Sequence, residues 1–118
     1  MKNLAIIFLF GLLISPAFAG KSGPDTLMVR TSAQCGDCKN RIEKALAFER
    51  GVKSSELDLE TKIVTVIYKP GKTTPGKIRE AISKSGYDAD DVPADAKAYA
   101  KLPPCCKKPH DPDHKEHH

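Results

Sequence analysis

Cys35-Gly36-Asp37-Cys38-Lys39-Asn40-Arg41-Ile42-Glu43 is the stretch on which the fold turns. A short apolar run, Leu27-Met28-Val29, precedes it, and a helical pattern of Ile42, Ala45 and Leu46 follows it. Two thiols therefore fall on a loop that leads into a helix N-terminus. Unpaired backbone N–H groups and partial positive charge at that end favour thiolate over thiol. Thiolates are the ligands that soft metal ions prefer, so the pair suits metal capture.

Working outward, residues 26–31 read as a strand and residues 20–25 as a short polar leader. The helix is expected from about Cys38 to Phe48, with Cys38, Ile42, Ala45 and Leu46 on one face and Gly51 as its C-terminal cap. Residues 52–60 and 62–69 read as two extended runs joined by a turn at Thr61-Lys62. The second of them, Ile63-Val64-Thr65-Val66-Ile67-Tyr68, is rich in β-branched residues. Thr74 and Pro75 open a second helix with Ile78, Ala81 and Ile82 inward, and Gly86 stops it. Residues 87–92 read as a short edge strand blunted by Asp88, Asp90 and Asp91. The order strand, helix, strand, strand, helix, strand predicts an α+β two-layer sandwich, with two helices on one face of a four-stranded antiparallel sheet.

At the N-terminus, Lys2 is followed by an apolar stretch over residues 4–14, interrupted by Gly11, and then by Ala17-Phe18-Ala19. That pattern reads as a signal peptide over residues 1–19 cleaved before Gly20, so the protein is expected in the periplasm or secreted. The apolar run is shorter than the roughly 20 residues that span a bilayer, and no Cys stands at the cleavage point to carry a lipid. The chain has 118 residues and a formal net charge of +4, with 19 Lys and Arg against 15 Asp and Glu. What remains after cleavage is enough for one domain with a modest core. The charges are mixed along the chain and there is no Trp, so nothing marks a nucleic-acid partner. No nucleophile–His–acid arrangement and no phosphate-binding Gly loop stands out, and no enzymatic activity is expected.

The four cysteines leave three readings open. In an exported protein they can form disulfides, although the adjacent Cys105 and Cys106 close only as a strained ring. The CxxC pair can also serve a periplasmic thiol–disulfide oxidoreductase of thioredoxin type. Such an enzyme needs a larger α/β domain and usually an aromatic beside the first Cys, where this chain has Gln34. Metal binding is the third reading and the one favoured by the strand–CxxC–helix context.

Cys35-x-x-Cys38 after the first strand, Gly51-Val52 after the first helix, Val64-x-Val66 in the third strand and Gly86-Tyr87 after the second helix together carry a resemblance. Over residues 26–92 the chain resembles the heavy-metal-associated domain, a family that includes copper chaperones, the N-terminal domains of metal-pumping ATPases and the periplasmic mercuric-ion-binding protein. The last of these is nearest in layout, given an exported precursor. The resemblance implies a ferredoxin-like βαββαβ fold and a metal site at Cys35 and Cys38. It also implies that Tyr87 packs near the Cys loop. The family usually has Met two residues before the first Cys; here Ala33 stands there, which predicts a more mobile site. Asp37 is also uncommon, and its negative charge beside two thiolates favours a divalent ion over Cu(I).

Two thiolates suffice for linear Cu(I) or Hg(II), whereas Zn(II) and Cd(II) want about four ligands. In the strand order the resemblance implies, strand four ends away from the Cys loop. Residues 94–102, as a helix of ~1.5 Å per residue, would run back about 13 Å. That path brings Cys105 and Cys106 to Cys35 and Cys38 in a four-sulfur site; the alternative is a separate weak site on a loose tail. His110, His114, His117 and His118 in residues 93–118 offer weak auxiliary metal ligands. The reading is thus a metal-binding protein that takes up Cu(I) or Hg(II), with Zn(II) or Cd(II) as alternatives. Its expected partner is a membrane metal transporter, and it is expected to act as a monomer, with a metal-bridged dimer as the alternative.

Overall fold

The computed structural model describes residues 23–115. The expected signal peptide, residues 20–22 of the leader, His117 and His118 lie outside the described residues. Among the described residues, no helix is long and apolar enough to cross a membrane.

The elements run β1 (Asp25–Arg30), α1 (Gly36–Ala47), β2 (Val52–Asp58), β3 (Ile63–Tyr68), α2 (Pro75–Lys84) and α3 (Ala96–Ala100), followed by a 3-10 turn at Pro104–Cys106. The sheet is antiparallel in the order β1-β3-β2. Val64, Val66 and Tyr68 of β3 alternate inward, and Ile67, on the opposite face, is 37% exposed. In β2 a register shift between Val52 and Ser54 inserts one residue, so that Val52 and Leu57 both turn toward the core. The β2–β3 connection is longer than a two-residue turn at Thr61-Lys62. Lys62, at φ 64°, donates its N–H to the Asp58 carbonyl at 2.7 Å, so the turn spans residues 59–62 and the strands end earlier than expected.

Both helices lay their apolar faces on the sheet. Cys38, Ile42 and Leu46 of α1 and Ile78 and Ile82 of α2 are buried together with Val29, Leu57, Val64 and Val66. α2 begins where the sequence placed it. Thr74 accepts the Lys77 N–H at 3.2 Å and Pro75 occupies the first turn, where its missing N–H costs nothing.

The expected fourth strand does not form. Ala89 makes one isolated antiparallel bridge with Thr31, then the chain reverses at once and Ala89 bridges Val92. Asp90 drives the reversal: it sits at φ 53°, a conformation in which Asp is tolerated better than bulkier residues. Its carboxylate accepts the Arg30 N–H at 2.9 Å and the Arg79 Nε–H at 2.9 Å. Pro93 follows and has no N–H to extend a ladder. Among the described residues the sheet therefore has three strands, and the expected βαββαβ order becomes βαββα with isolated bridges in place of the last strand.

The helix expected over residues 94–102 shrinks to the five residues of α3, capped by Asp95, which accepts the Ala98 N–H at 2.9 Å. A long return path is unnecessary, because the chain turns beside Thr31, at the Cys-loop end of β1. From there the tail packs on the domain instead of hanging loose. Ser83 Oγ–H donates to the Pro93 carbonyl at 2.7 Å, the Asp95 N–H donates to the Ser83 carbonyl at 2.9 Å, and Leu102 is buried in the core.

Candidate metal centre

The Cys loop hangs between two anchors. At one end, the Thr31 N–H and hydroxyl both donate to the Lys62 carbonyl at 2.8 Å, and Thr31 Oγ1 accepts the Ala33 N–H at 3.2 Å. At the other, Cys35 is the N-cap of α1 and Cys38 lies in its first turn. The Lys62 ammonium donates to Gln34 Oε1 at 3.3 Å, and the Asp88 N–H donates to Ser32 Oγ at 2.9 Å. Ala33, in the position where the family usually has Met, is completely buried.

All four thiols are free; those of Cys35, Cys105 and Cys106 close on one point, and Cys38 adjoins them through Cys35. Cys35 Sγ lies 3.4 Å from Cys38 Sγ, 3.7 Å from Cys105 Sγ and 3.7 Å from Cys106 Sγ, and the last two are 4.0 Å apart. Cys35 is half-buried, and the other three are buried. Burial pushes the Cys35 thiol up, but the Cys38 N–H and the neighbouring thiols of Cys38, Cys106 and Cys105 outweigh it and hold Cys35 below the ordinary thiol range. Burial pushes Cys105 and Cys106 the other way, toward the neutral thiol. The Cys105 thiol also donates to Asp37 Oδ2 at 3.7 Å.

Tyr87 forms the floor. Its side chain is fully buried, and its hydroxyl finds no well-formed hydrogen bond among the described residues. It faces the thiols of Cys106 and Cys38, and burial above all raises its pKa.

Among the described residues, His110 and His114 do not join the sulfur cluster. Among the described residues, the group of three or more His, Cys and carboxylate ligands that closes on one point is Cys35, Cys105 and Cys106. His110 is exposed, and His114 Nδ1 pairs with the Lys107 carbonyl at 2.7 Å. Reading the sequence alone misses the clamp that seats the tail. Asp88 meets the Lys108 ammonium at 2.7 Å and accepts the Ala94 N–H at 2.9 Å. The Tyr99 hydroxyl donates to Asp111 at 2.7 Å and accepts the Lys108 N–H at 3.0 Å. Such pairings form only when the tail has folded back and leave no periodic pattern in the sequence; the signal available was Asp90-Asp91 followed by Pro93, which marks a turn.

A model of the heavy-metal-associated domain matches residues 32–88. The copper chaperone CopZ of Staphylococcus epidermidis is 43% identical over 54 residues, which cover 46% of this chain and 79% of that protein. The chain belongs to the heavy-metal-associated domain family. A copper-exporting P-type ATPase of Staphylococcus saprophyticus is 40% identical over 55 residues, covering 47% of this chain and 7% of the ATPase. In fold, the chain is similar to oxidized MerP from Ralstonia metallidurans, with a TM-score of 0.55 at 23% identity, covering 58% of this chain and 96% of MerP. The residues matched by the heavy-metal-associated domain hold Cys35, Cys38 and Tyr87, whereas Cys105 and Cys106 lie beyond them.

Proposed function

We propose that this protein is an exported metal carrier that binds a soft or borderline ion through Cys35 and Cys38 and passes it to a membrane transporter or holds it. The observation that carries the reading is the pair of free thiols, 3.4 Å apart, at the N-terminus of α1 in a heavy-metal-associated domain. The Cys38 N–H at the helix end helps hold Cys35 toward its anionic form, and thiolates favour thiophilic ions. Copper is the first candidate, because the similar proteins include a copper chaperone and a copper-exporting ATPase. The second of these also suggests the kind of transporter that would receive the ion. Export is suggested by Lys2, the apolar residues 4–14 and Ala17-Phe18-Ala19.

The chemistry is ligand exchange. Cys35 is the more accessible sulfur and the one held toward thiolate, so an incoming thiolate of the partner displaces it first and Cys38 second. Titration of the purified, reduced protein with Cu(I) against a competing chelator, under anaerobic conditions, tests the reading. Uptake of about one ion per chain is expected, and it is lost in Cys35→Ser/Cys38→Ser. Absence of uptake by the wild type, or undiminished uptake by the variant, overturns it.

A further inference from the structure

The sulfur spacings do not match a site made by the CxxC pair alone. With metal–sulfur bonds of about 2.3 Å, two sulfurs on opposite sides of an ion stand ~4.6 Å apart, three in a plane ~4.0 Å and four in a tetrahedron ~3.8 Å. Cys35 and Cys38 are 3.4 Å apart, and Cys35, Cys105 and Cys106 are separated by 3.7, 3.7 and 4.0 Å. The spacings among Cys35, Cys105 and Cys106 are the edges of a three- or four-coordinate centre, and Cys38, beside Cys35 but outside that triangle, is the fourth sulfur within reach of it.

Its surroundings are prepared for a cation. Cys38 and Cys106 are almost wholly inaccessible and Cys105 nearly so, and buried thiolates without a cation among them are costly. Asp37 adds a carboxylate 3.7 Å from Cys105 Sγ. The buried Tyr87 hydroxyl, without a well-formed partner, faces Cys38 and Cys106 and can donate to a thiolate that a metal has created. Each further thiolate adds negative charge, which a divalent ion neutralises better than a monovalent one.

We propose that Cys105 and Cys106 join Cys35 and Cys38 around a single ion, closing a three- or four-thiolate centre for a divalent thiophilic cation of the Zn(II) or Cd(II) class. This rests on the reading that Cys35 and Cys38 bind metal. The tail, seated by Lys108 on Asp88 and by Leu102 against Gly86, is then part of the site, and an ion leaves only after the tail lifts. The centre retains its ion longer than a two-sulfur site with the same loop would.

Cd(II) bound to the full, reduced chain is the probe. X-ray absorption is expected to count three or four sulfurs per Cd(II), at one ion per monomeric chain. A count of two overturns the proposal, and so does a count of four reached by two chains sharing one ion. In Cys105→Ser/Cys106→Ser the count is expected to fall to two. Cd(II) affinity is expected to fall by more than the ~100-fold that residues merely hydrogen-bonded to metal ligands contribute. Unchanged count and affinity in that variant reject the shared centre and leave the CxxC site standing. Unchanged binding in Cys35→Ser/Cys38→Ser rejects the earlier reading instead. If the serine pair fails to fold, Cys105→Ala/Cys106→Ala and the wild-type sulfur count decide the matter.

Discussion

At the residue scale, the tail depends on one backbone conformation. Gly86 sits at φ 103°, and a Cβ there would meet Leu102 Cγ and Cδ2 at 3.1 Å and the Ala98 carbonyl carbon at 3.2 Å. Glycine is needed twice over: for a positive φ that side chains avoid, and for the close approach of the segment that carries Cys105 and Cys106. Gly86→Ala is expected to cost about 1–3 kcal/mol of stability, read from urea unfolding. Its effect on Cd(II) binding should exceed its effect on Cu(I) binding, because Leu102 is displaced while Cys35 and Cys38 stay where α1 holds them. A loss below half a kcal/mol would contradict the packing described. Gly86-Tyr87 was visible in the sequence as a motif, but its neighbour Leu102 was not, since nothing local distinguishes a leucine that reaches the core from one that ends a helix.

At the element scale, the segment from Tyr87 to Pro93 shows where reading by pattern failed. Residues 87–92 were expected to form a short edge strand. What competes with strand formation is side-chain chemistry: Asp90 accepts from the Arg30 N–H and the Arg79 guanidinium, and Asp88 from the Ala94 N–H and Lys108. Burial pushes the Asp88 carboxyl up, but the Lys108 ammonium and the Ala94 N–H outweigh it, so it titrates below the usual carboxylate range in the folded chain. A carboxyl with a depressed folded value stabilises the fold above its unfolded value, near 3.9, and ceases to do so as pH falls through the folded value. Asp88→Asn is therefore expected to lower stability by roughly 1–2 kcal/mol at neutral pH. Denaturant midpoints of wild type and variant should converge as the medium is made acidic below that carboxylate range. A gap that persists unchanged in acid would assign the loss to something other than the charge.

At the scale of the whole molecule, metal and fold are coupled. The sulfurs come from the Cys loop, α1 and the 3-10 turn of the tail, so an ion bound among them ties together parts of the chain that separate on unfolding. A ligand that binds only the folded chain at 1,000 times its dissociation constant adds ~4 kcal/mol, which for a domain of this size raises Tm by roughly 15–30 °C. Differential scanning calorimetry of the reduced protein with and without excess Cd(II) is expected to show that rise, and a smaller one in Cys105→Ser/Cys106→Ser. Equal melting temperatures with and without the ion would mean that the thiols do not act together.

The local chemistry of the chain was enough to place α1, α2, the hairpin strands and the Cys35–Cys38 pair. Each of these is set by neighbours within a few residues: an apolar period, a Thr74 cap, a β-branched run, a CxxC at a helix entrance. The approach of Cys105 and Cys106 to that pair was expected along a long helical return; the short route actually taken, the loss of the fourth strand and the seating of the tail on Asp88 and Gly86 required the folded chain. Those contacts join residues up to 71 positions apart, and their energies depend on burial and distance, which no short stretch of sequence encodes.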